Sequence, residues 1–156
     1  NRRLYCETMA AILSEAAANG SMAAVLCIDL DQFKNVNDSY GHACGDELLR
    51  QFSNRLIECI GSRDAAGRLS GDEFSLTLAL REGQDSAGDV ATAIREILRA
   101  PFNLDGYRVV VTASIGMAIY PVDATDLDTL IKYSDVAMYR AKQAGRDTFR
   151  FFTPHR

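Results

Sequence analysis

Arg68-Leu69-Ser70-Gly71-Asp72-Glu73-Phe74-Ser75-Leu76 sets two adjacent carboxylates behind a Ser-Gly turn, between two strand-like apolar runs. Ala65 to Leu69 predicts the first arm of a hairpin. In the second arm Phe74, Leu76, Leu78 and Leu80 alternate with Ser75, Thr77 and Ala79, the period of two expected of a strand. Acidic side chains at a hairpin tip contribute little to folding, but hard oxygen ligands suit a divalent cation held beside a phosphate. A second acidic pair closes another apolar run. Met22 to Ile28 is continuously apolar, as in a strand covered on both faces, and Asp29-Leu30-Asp31 follows it. If that strand lies beside the hairpin, Asp29 and Asp72 meet at one edge of a sheet.

Working outward, Leu4, Met9, Ile12, Leu13 and Ala16 predict a helix over 4–18, stopped by Asn19-Gly20-Ser21. A short helix over 32–39 is expected, with Asp31 as its N-cap and Gly41 near its end. Leu48, Leu49, Phe52, Leu56, Ile57 and Ile60 mark a longer helix over 46–60, and another spans 90–100 before Pro101. Strands over 102–104 and 108–119 flank Asp105-Gly106 as a second hairpin. A helix over 127–144 ends at Gly145, and 149–152 is a last short strand. This order predicts an α/β (α+β) fold with one mainly antiparallel central sheet flanked by helices. The 156 residues suit a single domain over 1–156, without internal repeat or low-complexity linker.

A net charge of -4 argues against non-specific nucleic-acid binding, which needs basic stripes. Cys6, Cys27, Cys44 and Cys59 form no CxxC pair, and neither His42 nor His155 has a partner at zinc spacing. Buried free thiols in a reducing, cytoplasmic setting are expected instead. No run is long enough to span a bilayer, and no signal-peptide pattern is present. The start at Asn1-Arg2-Arg3, without a methionine, reads as a piece of a longer protein.

Several residues carry two readings. Asp29 follows a buried strand, where a lone carboxylate is costly unless paired or metal-bound, whereas Asp31 reads first as a helix cap. The amides of Gln32 and Phe33 open a helix beside Lys34, a natural phosphate cradle. Asn37 with Asp46 can supply the donor and acceptor set that a guanine edge needs, although Asp46 also reads as a cap. Lys142 and Arg146 either complement the dipole of the last helix or reach outer phosphates.

Together these segments resemble the GGDEF domain family of diguanylate cyclases over nearly the whole chain. The resemblance runs through Asp29-Leu30-Asp31-Gln32-Phe33-Lys34-Asn35-Val36-Asn37-Asp38, Gly41-His42-Ala43-Cys44-Gly45-Asp46 and Arg68 to Phe74. It continues through Thr112-Ala113-Ser114-Ile115-Gly116 and Met138 to Arg146. It implies a palm-like sheet similar to that of nucleotide cyclases and polymerases. It also implies condensation of two GTP into cyclic di-GMP and two pyrophosphates across a homodimer of domains. By position, Asp29, the Leu30 carbonyl and Asp72 would hold Mg²⁺ or Mn²⁺. Asp72 would be the base for the 3′-hydroxyl, with Glu73 and Lys34 assisting. Asn37 and Asp46 would read guanine. Gln32, Phe33, Lys34, Lys142 and Arg146 would bind phosphates, with Ser70 and Gly71 lying against the nucleotide.

The sequence departs from the family pattern at two places. Ser70 stands where the family has glycine. A serine in a left-handed conformation costs roughly 1–2 kcal/mol, and its hydroxyl would crowd the reacting nucleotide. Gly61 replaces the arginine of the product-inhibition motif while Asp64 is kept, so no tight inhibitory binding of cyclic di-GMP is expected. The tail Arg150-Phe151-Phe152-Thr153-Pro154 resembles the junction into an EAL phosphodiesterase domain. The expected partners are therefore GTP, a second GGDEF domain, a downstream EAL domain and an upstream sensor, with no membrane contact by this domain. A rival reading is a degenerate, GTP-binding regulatory module controlling the neighbouring EAL domain. A third is an interaction scaffold without nucleotide.

Overall fold

A computed structural model describes residues 2–80, 83 and 85–154. The chain runs α1 (Arg2–Asn19), β1 (Met22–Leu30), α2 (Phe33–Tyr40), α3 (His42–Ile57), β2 (Ala65–Ser70), β3 (Glu73–Leu80) and α4 (Asp85–Ile97). It continues through β4 (Phe102–Leu104), β5 (Tyr107–Val109), β6 (Ala113–Tyr120), α5 (Leu127–Gln143) and β7 (Thr148–Phe151). Five strands form one sheet in the order β2-β3-β1-β6-β7, antiparallel except for the parallel β6–β7 pair. β1 therefore lies beside the hairpin, as the acidic pattern requires. Asp29 is in register with Glu73 on one side and with Ser114 on the other.

The continuous apolar run of β1 has a two-sided explanation. Ala24, Leu26, Ile28 and Leu30 enter a large core with α2, α3 and α4. Ala23 and Val25 enter a second core under α1 and α5. Phe74, Leu76, Leu78 and Leu80 join the first, where Phe74 meets Phe52 edge-on at 5.0 Å. The intervening Ser75 and Thr77 are also buried, beneath α1. The Tyr5 hydroxyl bonds Ser75 Oγ at 2.9 Å and Thr77 Oγ1 at 3.1 Å, which satisfies those hydroxyls away from water.

Four boundaries differ from the sequence expectation. α3 begins at His42, so Asp46 lies a turn inside it and caps nothing. α4 begins at Asp85 rather than near Val90, with Asp85 in its first turn where a carboxylate suits the helix dipole. The expected single strand over 108–119 is two: β5 pairs only with β4 in a separate ribbon, and β6 joins the main sheet. Apolar alternation runs through both and cannot show that the chain changes sheets between them. Asp31 does not cap α2. The N-cap position is Gln32, which makes no side-chain cap bond. Its Oε1 instead accepts the Thr112 N–H at 2.9 Å. Cys27 and Cys44 are buried free thiols and Cys6 and Cys59 half-buried ones, while His155 lies outside the described residues. Among the described residues no helix is long and apolar enough to cross a membrane.

Candidate functional site

The hairpin tip is built by Ser70–Glu73 pairing across a bulge that the register shift between Arg68 and Ser70 creates. The left-handed residue at the tip is Gly71, at φ +40°. Ser70 is not among the positive-φ residues, so the left-handed cost expected for it does not arise. The turn is held by backbone acceptors. Arg68 Nε donates to the Gly71 carbonyl at 3.1 Å, and Arg2 Nη1 to the Leu69 carbonyl at 2.7 Å. The Asp72 side chain is left out of that scaffolding.

Asp29 and Asp72 come together at the end of β1. Burial raises the Asp29 pKa, the Lys142 ammonium opposes that rise, and the adjacent Asp72 carboxylate adds to it. Asp29 Oδ2 pairs with Lys142 Nζ, whereas Asp29 Oδ1 is buried with no hydrogen-bond partner. An orphaned buried carboxylate oxygen beside a second carboxylate is a donor set that fits a hard divalent cation. Leu30, the last residue of β1, adjoins it.

Behind this pair the predicted Glu73 joins two residues to which sequence reasoning gave no site role, Cys27 and Asp135. Cys27 Sγ donates to Glu73 Oε2 at 3.1 Å and lies 3.8 Å from Asp135 Oδ1 and 3.5 Å from Met138 Sδ. Burial pushes the Cys27 thiol far up, and Glu73 adds to the rise. Burial also raises Glu73, with the Cys27 hydrogen bond opposing and Asp135 reinforcing it. The ligand atoms of Cys27, Glu73 and Asp135 lie within 4.8 Å of one another. A protonated sulfur is a poor partner for Mg²⁺, so the Asp29–Asp72 end is the better fit. The available signal for Asp135 was its place on α5: three and seven residues ahead of Met138 and Lys142, it shares their face.

The remaining predicted residues surround this centre unevenly. Lys142 and Arg146 pair with acids at the end of β1 rather than with the carbonyls of α5, while Lys142 also stands in the last turn of α5, where a cation suits the helix dipole. Arg146 Nη1 is 3.8 Å from Asp31 Oδ1. The last carbonyls of α5 are met by backbone instead: Arg146 N–H bonds the Ala141 carbonyl at 3.1 Å and Gly145 N–H the Lys142 carbonyl at 3.3 Å, a Schellman ending. Lys34 stands exposed at the start of α2, 3.7 Å from Asp38. Asn37 packs on α3 so closely that a Cβ on Gly45 would lie 1.8 Å from its Oδ1, which places Asn37 against the residue preceding the exposed Asp46. Asp64 is consumed by backbone: its two oxygens accept the N–H groups of Gly61 at 2.8 Å and Ala79 at 2.9 Å.

Residues 1–148 match the family model described as diguanylate cyclase, GGDEF domain. The chain is 39% identical over 137 residues to the cyclic di-GMP phosphodiesterase PdeR of Escherichia coli, covering 88% of this chain and 21% of that protein. It is 38% identical over 152 residues to the bifunctional diguanylate cyclase/cyclic di-GMP phosphodiesterase MucR of Pseudomonas aeruginosa, covering 97% of this chain and 22% of that protein. The chain thus spans about a fifth of these curated relatives. The crystal structure of the GGDEF domain of TpbB (YfiN) from Pseudomonas aeruginosa superposes with a TM-score of 0.95 at 35% identity, over 99% of this chain and 97% of that one.

Proposed function

Because the chain belongs to the GGDEF domain family of diguanylate cyclases, we propose that it binds GTP with Mg²⁺ and joins two GTP into cyclic di-GMP across a pair of domains. The observation that carries this reading is the meeting of Asp29 and Asp72, with a buried oxygen of Asp29 unpartnered, Lys142 paired to Asp29 and Arg146 on the neighbouring Asp31. Asp29, the Leu30 carbonyl and Asp72 would hold the ion, Mg²⁺ or Mn²⁺. When bound, it supplies Lewis-acid stabilisation of phosphate charge and eases loss of the hydroxyl proton.

The chain's own residues do the rest. Asp72 takes the proton of the 3′-hydroxyl, whose oxygen attacks the α-phosphorus of the GTP on the partner domain. The bond to the β-phosphate breaks, and pyrophosphate leaves with the electron pair. Lys142 and Arg146 exchange their carboxylate partners for phosphate oxygens, joined by Lys34 and the N–H groups of Gln32 and Phe33. Asp46 accepts from the guanine N1–H and N2–H while Asn37 meets its other edge. Glu73 holds the second row of charge against Cys27. The domain works in the cytoplasm, within a longer protein carrying sensor and EAL parts.

A second reading, a GTP-binding module that regulates a phosphodiesterase, draws support from the names of longer relatives such as PdeR and MucR. Measuring GTP binding and cyclic di-GMP formation on wild type and Ser70→Gly separates the two. Ser70 does not carry the positive φ of the turn, so the cyclase reading expects product from wild type. Any gain in Ser70→Gly over an already active wild type then measures the crowding by the Ser70 hydroxyl, because the backbone there does not require glycine. Activity that arises only in Ser70→Gly sinks the cyclase reading.

The use of both Asp64 oxygens by backbone adds a further expectation. Asp64→Ala should lose about 1–2 kcal/mol of stability, as two backbone donors lose their acceptor. It should leave the affinity for cyclic di-GMP unchanged. Urea unfolding and calorimetric titration check both.

A further inference from the structure

We propose that Asp31 is a positioning residue: its buried carboxylate latches the turn after α5 and thereby aims Arg146 at the nucleotide phosphates. The proposal rests on the GTP-binding reading above. The Asp31 side chain is wholly shielded from solvent, and a carboxylate is buried without penalty only when its oxygens are used. The groups that use them lie far along the chain. Thr112 Oγ1 and Ser114 Oγ donate at 2.5 and 2.6 Å, and the Asp147 N–H at 3.0 Å. The Arg146 guanidinium lies at 3.8 Å. One side chain therefore ties the end of β1 to the entry of β6 and to the segment leaving α5.

That segment is strained in a way its helix ending does not explain. The Schellman ending requires a left-handed residue only at Gly145, at φ +113°. Arg146 and Asp147 continue in the same region at φ +64° and +47°. Side-chain-bearing residues hold such a conformation in succession only where the surroundings over-determine it. The restraints are the Asp31 bond to the Asp147 N–H and an ion pair of the Asp147 carboxylate with Arg95 at 3.3 Å. Arg146 keeps 53% of its side chain exposed, so its guanidinium can turn to a phosphate while the backbone beneath it stays latched. Lys142 lies one helical turn back, on Asp29.

The probe is tripolyphosphate with Mg²⁺, titrated calorimetrically into the chain, because it engages the cations without the guanine pocket or a second domain. Asp31→Asn, which keeps the shape and removes the charge, is expected to weaken it about tenfold, the worth of a charge-assisted contact. Guanosine affinity should stay within about twofold, as expected for a site that shares no partner with the substitution. In a double-mutant cycle, Asp31→Asn should add little on an Arg146→Ala background. Slow hydrogen exchange at the Asp147 amide of the wild type is a further expectation that needs no variant. Unchanged tripolyphosphate binding, equal loss of both ligands, additive substitutions, or exchange at the rate of an open loop each overturns the latch. A wild type that binds tripolyphosphate in the Asp31-dependent way, yet makes no product from GTP, upholds the latch and removes the cyclase reading instead.

Discussion

Asp72→Asn is expected to lower cyclic di-GMP formation by about a thousandfold or more, the combined weight of a general base and a metal-holding carboxylate, while the domain stays folded. The tip that carries Asp72 is fixed by Arg68 on the Gly71 carbonyl and Arg2 on the Leu69 carbonyl, so its side chain holds nothing up. Its charge meets both repulsion from Asp29 and attraction from Lys142. Asp72 is one of the groups that push the pKa of Asp29 up, and removing it lets Asp29 pair with Lys142 against less repulsion. The variant should therefore melt close to the wild-type temperature when GTP and Mg²⁺ are absent. Product quantified by chromatography after long incubation at high protein concentration, beside a thermal melt, gives both readings. Turnover within tenfold of wild type would remove Asp72 from the chemistry. A lowered melting temperature would show the tip to be structural.

The parts legible in the sequence were those set by local pattern. The continuous run of β1 and the alternation of β3 specify two strands that share a core. The carboxylates at their ends then meet because antiparallel register leaves them no other place. What was not legible depended on distant residues. Asp31 reads as a cap because it precedes a helix, but Thr112, Ser114 and Asp147 claim its oxygens. Ser70 reads as the left-handed residue because it occupies a glycine's place, but the bulge before it moves the positive φ to Gly71. Ser75 and Thr77 resemble the wet side of a strand, yet a tyrosine five residues into the chain reaches them with its hydroxyl. Asp135 belongs to no motif and enters the site only because α5 lies across β1 and β6.

That crossing makes Gly116 the position of the largest expected stability loss. Gly116 sits mid-strand in β6, paired with Cys27 of β1, directly under α5. A Cβ there would lie 2.1 Å from both the Met138 nitrogen and the Ser134 carbonyl oxygen, and 2.7 Å from the Ala137 carbonyl carbon. These are backbone atoms of a helix, so no rotamer change can yield. α5 must lift away from the sheet, or β6 must bow. Overpacking a core costs about 1–3 kcal/mol where side chains can shift, and here the rigid partner takes Gly116→Ala beyond that, to roughly 4 kcal/mol. For a domain of this size the melting temperature should fall by roughly 10 °C or more. GTP binding should weaken in whatever fraction remains folded, because α5 carries Lys142 and Arg146 to the acids of β1. Gly88→Ala in α4 is the matched control. Its added Cβ would meet Phe151 at 3.6 Å and Phe149 at 3.8 Å, ordinary contacts. The gain in helix propensity of up to about 1 kcal/mol should then leave that variant as stable as wild type or more so. Thermal and urea unfolding of the pair decide the matter: equal stabilities would show that α5 does not rest on β6 at the spacing described, and the cation placement derived from that spacing would fall with it.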